Sequence, residues 1–313
     1  MAEGSTGANR IPSPASGSNR VCATFGIRLP LMMGAISPRP KFAAVVCRAG
    51  GLGCIEGISS PDKIRQQIRE LRGLTDEPFS VNFPLAFGDR SLVEGRVKVA
   101  IEERVPAVMT SAGSPKVYTR MLQDAGIKVA HVVAGIAHAE KAAEAGVDVL
   151  VAEPTESGGY RGANEIAMMV LIPGIARAVP GVPLVAAGSV ADRAGLVAVM
   201  ALGAEGVQLG TRLMVTQEGR EFFPEYVEKM VLAADDTSTM SADGPTRPRV
   251  SKPEFAERIV GDGRKRAQMG QVAALIHDVP TVAEVVRELF EGGASHARDV
   301  AAAIEALRGR LDA

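Results

Sequence analysis

Two stretches combine residue types that can do chemistry. The first is VAEPTESGGYRGANE, residues 151–165, in which an apolar run breaks into acid, two glycines, Tyr160 and Arg161. A free phenol has a pKa of ~10, so Tyr160 starts as a proton or hydrogen-bond donor and not as a base. Arg161 can alter that only if its side chain turns the same way. The second stretch is AAGSVADRAGLVAVMALGAEGVQLGTRL, residues 186–213. It places Gly188 and Ser189 after one apolar run and Gly210 and Thr211 after the next, each running into a helical pattern. Free backbone N–H groups at two adjacent helix starts form a site for a phosphate dianion without a lysine; tight strand-to-helix turns are the other use of such glycines.

Both stretches belong to one repeating pattern that must position them. Eight apolar runs occur at 29–35, 52–57, 79–83, 106–111, 128–133, 147–153, 182–188 and 205–210. Between them lie segments such as SPDKIRQQIRELRG and SLVEGRVKVAIEER, whose apolar residues recur three and four apart and which open on Ser, Asp or Pro and close on Gly. Runs apolar on both faces, alternating with helices, predict a parallel sheet covered by helices. Eight units in about 190 residues predict a TIM (β/α)₈ barrel of α/β class, with an open doubly wound sheet as the alternative. Residues 1–24, rich in Gly, Ser, Pro and Asn, read as a disordered lead-in, and 25–313 as a single domain. Within it, 216–265 reads as a polar excursion or lid over the barrel mouth and 266–313 as C-terminal helices packed outside.

The composition narrows the partners. Of 313 residues 46% are hydrophobic, with 34 Gly, no Trp and 4% aromatics, which suits an aliphatic core. Thirty-five Lys and Arg against 36 Asp and Glu leave a formal net charge of -1, so no global field draws the chain to nucleic acid or membrane, and the expected partner is a small molecule. No run approaches the roughly 18 apolar residues that cross a bilayer. Cys22, Cys47 and Cys54 have neither the count nor the spacing of a disulfide framework or a metal site, which points to a reducing, cytoplasmic setting. Oligomeric state is open.

LPLMMGAISP, GGLGCI, PFSVNF, AGSP, VAEPTESGGYRG, PLVAAGSVAD and GAEGVQLGTRLM occur in an order that resembles the nitronate monooxygenase (2-nitropropane dioxygenase) family, over about residues 27–250. That family is similar to the FMN-dependent enoyl-acyl-carrier-protein reductases. The resemblance implies non-covalent FMN. Its phosphate would lie on Gly188, Ser189, Gly210 and Thr211, and Gly34, Asn82, Thr110 and Gly159 would approach the ring and ribityl chain. Two departures stand out. Met33, Gly34, Ala35 and Ile36 replace a glutamine-containing first motif, and Tyr160 stands where the family carries its catalytic histidine.

None of the four histidines takes that place. His131 lies in the fifth strand as a core or mouth residue, His138 in the next helix, and His277 and His296 in the tail. Glu153 and Glu156 are the carboxylates nearest Tyr160, with a helix-cap or loop role set against catalysis. Arg247, Arg249 and Lys252 form a basic cluster that would suit a phosphate-bearing substrate or NADH or NADPH, or else a solvated loop. Oxidation of nitronates or nitroalkanes by O2 is the expectation that follows from the resemblance. The alternatives are reduction or dehydrogenation of a conjugated carbonyl or enoyl thioester with Tyr160 as proton donor, and a flavin-binding barrel without turnover.

Overall fold

The computed structural model describes residues 19–37, 39–162, 164–236, 238–240 and 248–308. Eight parallel strands form one sheet: β1 (Leu31–Met33), β2 (Gly53–Glu56), β3 (Phe79–Pro84), β4 (Ala107–Ser111), β5 (Lys128–Val133), β6 (Val149–Ala152), β7 (Leu184–Ala187) and β8 (Gly206–Leu209). Their order is β1-β8-β7-β6-β5-β4-β3-β2. Leu52 N donates to Leu31 O at 2.8 Å and Met33 N to Leu52 O at 2.9 Å, so β1 also meets β2 and the sheet closes into a TIM barrel. All eight strands coincide with the apolar runs.

A helix α1 (Arg20–Phe25) precedes β1, so the disordered lead-in expected through residue 24 ends earlier; residues 1–18 lie outside the described residues. The physical reason is local. Asn19 caps the helix through Cys22 N at 3.0 Å, Arg20 pairs with Glu205 at the foot of β8, and Val21 and Phe25 are buried. Between the strands run α2 (Pro40–Arg48), α3 (Pro61–Arg72), α4 (Arg90–Glu102), α5 (Thr119–Asp124), α6 (Ile136–Glu144), α7 (Met168–Ala178) and α8 (Arg193–Ala201). Each returns the chain to the same end of the barrel, as parallel pairing requires.

Register decides which side chains see the barrel axis, because cross-strand partners and residues two apart share a face. A Cβ on Gly53 would stand 2.6 Å from Cys47 Sγ of α2, so the face of Gly53 and Ile55 is the helix side. Through Ile55↔Val81, then Phe83↔Thr110 and Thr110↔His131, that side carries Thr110 and His131. The opposite face runs Glu56↔Asn82↔Met109↔Ala130, then Val132↔Val151↔Val185 and Ala187↔Gln208↔Met32. It therefore faces the axis.

After β8 the chain continues through α9 (Thr211–Met214), α10 (Gly219–Phe222) and α11 (Glu225–Leu232), then an antiparallel pair β9 (Ser238–Met240) and β10 (Arg249–Ser251), then α12 (Pro253–Val260). This excursion has its own apolar core, in which Val227, Met230, Val231, Phe255 and Ala256 pack with Met269 and Ile276 of the tail. The tail is helical only from α13 (Val282–Arg287), which runs through a wide turn into α14 (Gly293–Arg308) against α8. Residues 266–281, expected as helix, contain one short 3₁₀ turn at Gln271–Leu275. The reason is that Gly270 lies against the mouth, its N–H on Thr211 Oγ1 at 3.1 Å, which an external helix could not reach.

Gly53→Ala is expected to overpack the β2–α2 contact and cost about 1–3 kcal/mol, read as a lowered Tm. Gly181→Ala, where a Cβ would meet nothing within 4 Å, serves as the control and should leave Tm close to that of the parent chain.

Candidate active site at the barrel mouth

The axis face ends, at the carboxyl ends of the strands, in Gly34, Glu56, Asn82, Ser111, Val132, Glu153 and Gln208. Glu56, Ser111, Val132 and Glu153 are half-buried while the strand residues below them are sealed, so these side chains border an open mouth. Ser111 Oγ donates to Asn82 Oδ1 at 3.2 Å. Gln208 Oε1 is buried and accepts no hydrogen bond among the described residues. A Cβ on Gly34 would lie 3.4 Å from Leu209 O and 3.7 Å from Gln208 Nε2, so bare backbone at 34 keeps the wall beside Gln208 clear. Two acids flank this space. Burial raises the Glu56 carboxyl above its ordinary value and pushes Glu153 up to about 8, the nearby Arg161 charge acting in the opposite direction.

One pole of the mouth suits an anion. Gly188 (φ +92°) and Ser189 (φ +56°) are successive positive-φ residues; the Gly188 N–H is already donated to Gln208 O at 3.2 Å, which leaves the Ser189 N–H to the turn. Ser189 Oγ is buried with no partner among the described residues. Thr211 Oγ1 accepts from Gly270 N, which leaves its own proton to donate. The helix starts expected to supply the site contribute less than their spacing suggested. Asp192 already caps α8 through Gly195 N at 2.9 Å, and α9 is four residues long. What remains at this turn are the Ser189 N–H and the two hydroxyls of Ser189 and Thr211.

The loop after β6 is held from behind by backbone contacts. Gly159 (φ +75°) donates from N to Arg249 O at 3.1 Å and accepts from Arg249 N at 2.9 Å. A Cβ on Gly158 would lie 2.6 Å from Gly270 N, so that glycine lets the tail pass. Both glycines are thus occupied by protein backbone, and the backbone groups of Gly159 are already paired. Ser157 Oγ donates to Ala187 O at 2.7 Å, and Glu156 caps α7 by accepting from Met168 N at 3.0 and 3.2 Å. Tyr160 remains as the presented side chain, 50% exposed and edge-on to Phe87 with ring centroids 5.2 Å apart.

The arginines serve the same loop. Arg161 bonds Thr155 O and Oγ1 and Met240 Sδ. Arg249, 7% exposed, donates to Thr155 O at 3.1 Å and Ser238 Oγ at 3.3 Å. Burial first and the Arg161 charge second lower its pKa. The structure brings Arg161 and Arg249 together as a clamp on Thr155, and Arg247 lies outside the described residues. Thr110 does not join the mouth: its hydroxyl sits on the helix side, 2.8 Å from His131 Nδ1. Burial, and then the His138 charge, lower the His131 pKa to about 4, so it is a neutral core residue. His138 and His277 are exposed and His296 half-exposed.

A cavity of about 340 Å³ opens between the loops after β3 and β4, lined by Leu85, Ala86, Ala112, Gly113 and Tyr118 among others. Among the described residues no three His, Cys, Asp or Glu side chains stand close enough to hold a metal ion, and no helix is long and apolar enough to cross a membrane. Glu56, Ser111 and Gln208 fall within the apolar runs 52–57, 106–111 and 205–210, and sequence reasoning gave none of them a role. Their signal is a polar residue at the last axis-facing position of an otherwise apolar strand.

The closed parallel barrel thus ends in a mouth with unpaired polar atoms at Gln208 and Ser189, at the face where barrels of this kind carry their active sites. The sequence profile of the nitronate monooxygenase family matches residues 22–90 and 85–259, and the chain belongs to that family of flavoenzymes. The nitronate monooxygenase of Pseudomonas aeruginosa is 32% identical over 249 residues, covering 64% of this chain and 70% of that protein. A (3aS,4S,5R,7aS)-5-hydroxy-7a-methyl-1-oxo-octahydro-1H-indene-4-carboxyl-CoA dehydrogenase of Rhodococcus jostii is 32% identical over 239 residues, covering 75% of this chain and 64% of that one. Among solved structures, FabK from Thermotoga maritima superposes with a TM-score of 0.80 at 33% identity, covering 94% of this chain and 100% of that chain.

Neutral burial of His131 predicts acid sensitivity with a defined window. Above pH ~6.5 the imidazole is neutral folded and unfolded; below it the unfolded chain binds a proton that the folded chain refuses until about pH 4. Stability should fall by about 3 kcal/mol across that window. His131→Gln should flatten this part of a denaturant-midpoint-versus-pH curve.

Proposed function

We propose that the protein is an FMN-dependent oxidoreductase that oxidises nitronates with O2. The observation that carries the reading is the pairing of the positive-φ turn at Gly188–Ser189, with its buried unpartnered hydroxyl, and the axis-facing mouth, where Gln208 Oε1 lacks a partner beside Gly34. One end fits a phosphomonoester and the other the polar edge of a flat ring. FMN held there by Ser189 and Thr211 would supply the electron acceptor that the oxidation needs.

The chain's own groups do the rest. A nitronate arrives already deprotonated, so its oxidation requires no histidine in the loop. Tyr160, fixed by the loop behind it and by Phe87 at its side, donates a hydrogen bond to a nitro oxygen and orients the anion over the mouth. The small-molecule substrate and the three free thiols fit a cytoplasmic enzyme. A second reading, reduction or dehydrogenation of an enoyl thioester or conjugated carbonyl with NADH or NADPH as redox partner, is favoured by the full-length likeness to FabK and by the CoA-ester dehydrogenase relative. In it the same phenol donates a proton to the substrate carbanion.

Purified protein is expected to be yellow and to release FMN and not FAD on denaturation. Anaerobic mixing with a propionate-type nitronate should bleach the flavin band; bleaching by NADPH with reoxidation by an enoyl thioester would select the second reading. Ser189→Ala should weaken FMN binding about tenfold, the loss of one hydrogen bond to a charged group. Tyr160→Phe should keep FMN bound and lower turnover more than tenfold, and an unchanged rate would reduce Tyr160 to an aromatic wall.

A further inference from the structure

Two carboxyls in the mouth have no part in the reading above. Glu56 ends β2 and Glu153 follows β6, strands four places apart either way around the barrel, so the acids face each other across the axis. Their situations differ. Glu153 N still donates to Val133 O at 2.8 Å, so the β5–β6 ladder fixes the backbone there and continues the axis-facing alternation of Val149 and Val151. Neighbouring side chains in the loop are engaged in holding it: Glu156 caps α7, Ser157 bonds Ala187 O, and Thr155 receives Arg161. Among the described residues the Glu153 carboxyl accepts no hydrogen bond and has no ion-pair partner within 4.0 Å, although it is half-buried beside Val132 and Val133 of the next strand. A carboxyl in such a place is poorly solvated and not committed to structure.

We infer that Glu153 is the catalytic residue that takes the proton from the carbon bearing the nitro group, converting a neutral nitroalkane in the mouth into the nitronate that is then oxidised. The C–H bond breaks and an O–H bond forms on a Glu153 carboxylate oxygen. The bonding pair stays on the substrate and spreads onto the nitro oxygens, and the acid later returns its proton to water through the open mouth. The step consumes no oxidant. Its chemistry suits the surroundings: an apolar wall makes a carboxylate a stronger base, in line with the upward shift of Glu153, and the Tyr160 phenol belongs to the same loop. The family's histidine position thereby loses its base without the barrel losing one.

The inference rests on the nitronate reading, and proton exchange tests it separately from oxidation. Flavin-loaded protein in D2O without oxygen is mixed with nitroethane, and loss of the α-hydrogen signal is followed by NMR. The parent chain should exchange above the buffer rate, and Glu153→Gln should lower the protein-dependent exchange about 100-fold, the usual worth of a positioned base. Glu153→Asp, with its flavin content intact, should fall between them and keeps the test open should Gln disturb the mouth. With oxygen admitted, the ratio of nitroethane turnover to ethyl nitronate turnover should drop by a similar factor in Glu153→Gln. Parent-level exchange in Glu153→Gln, no exchange in the parent chain, or exchange lost in Tyr160→Phe or Glu56→Gln but kept in Glu153→Gln would each overturn the assignment. A parent chain that exchanges but never oxidises nitronate would refute the proposed function and leave Glu153 as its proton acceptor.

Discussion

Two hydrogen bonds between the backbones of Gly159 and Arg249 tie the loop after β6 to the excursion after β8, and the mouth takes its shape from that stitch. A loop of this length on a barrel rim would otherwise be the mobile part of the molecule. Here it is gripped on three sides: Arg249 and Arg161 meet on Thr155, Gly270 lies against Gly158, and Ser157 reaches back to the end of β7. A buried and a half-buried guanidinium beside one carbonyl are an expensive fastening. Their presence indicates how closely the position of this loop matters to the site it borders.

The barrel beneath turns a simple alternation into a division of labour. Each strand has one face against helices and one against the axis, and the last axis-facing residue of each strand meets the mouth. That is why Asn82, Ser111, Glu153 and Gln208 converge although they are far apart in the chain. It is also why Thr110 and His131, one residue out of step, are buried among helices and pair with each other. Chemistry here depends on parity along a strand as much as on residue type.

The eight strands were legible because apolar runs and glycine punctuation repeat with one period, and burial on both faces leaves a continuous apolar signature. The same signature hid the parity. With both faces apolar, nothing in VMTS or VAHVV says whether Thr110 or Ser111 meets the axis; only the closeness of Gly53 to Cys47 and the cross-strand register decide it. Glycine roles were half legible. Gly159 was read as approaching a cofactor, whereas its backbone pairs with Arg249 and the neighbouring Gly158 makes way for the chain's own tail. Contacts between residues about a hundred apart leave no local mark, so the clamp by Arg249 and the inward run of Met269 and Gly270 could not be foreseen.

Because the loop from Thr155 to Gly159 is secured by backbone groups and by side chains other than the one it displays, residue 160 contributes little to keeping the loop in place. Its side chain lies edge-on to Phe87 and is half in solvent. An imidazole or a phenol can be mounted on such a fixture without refolding anything beneath it. The rim therefore works as a socket whose fitting is interchangeable, and a lineage built on this barrel can change the reaction it runs by a single exchange at a point where stability is nearly indifferent to the choice.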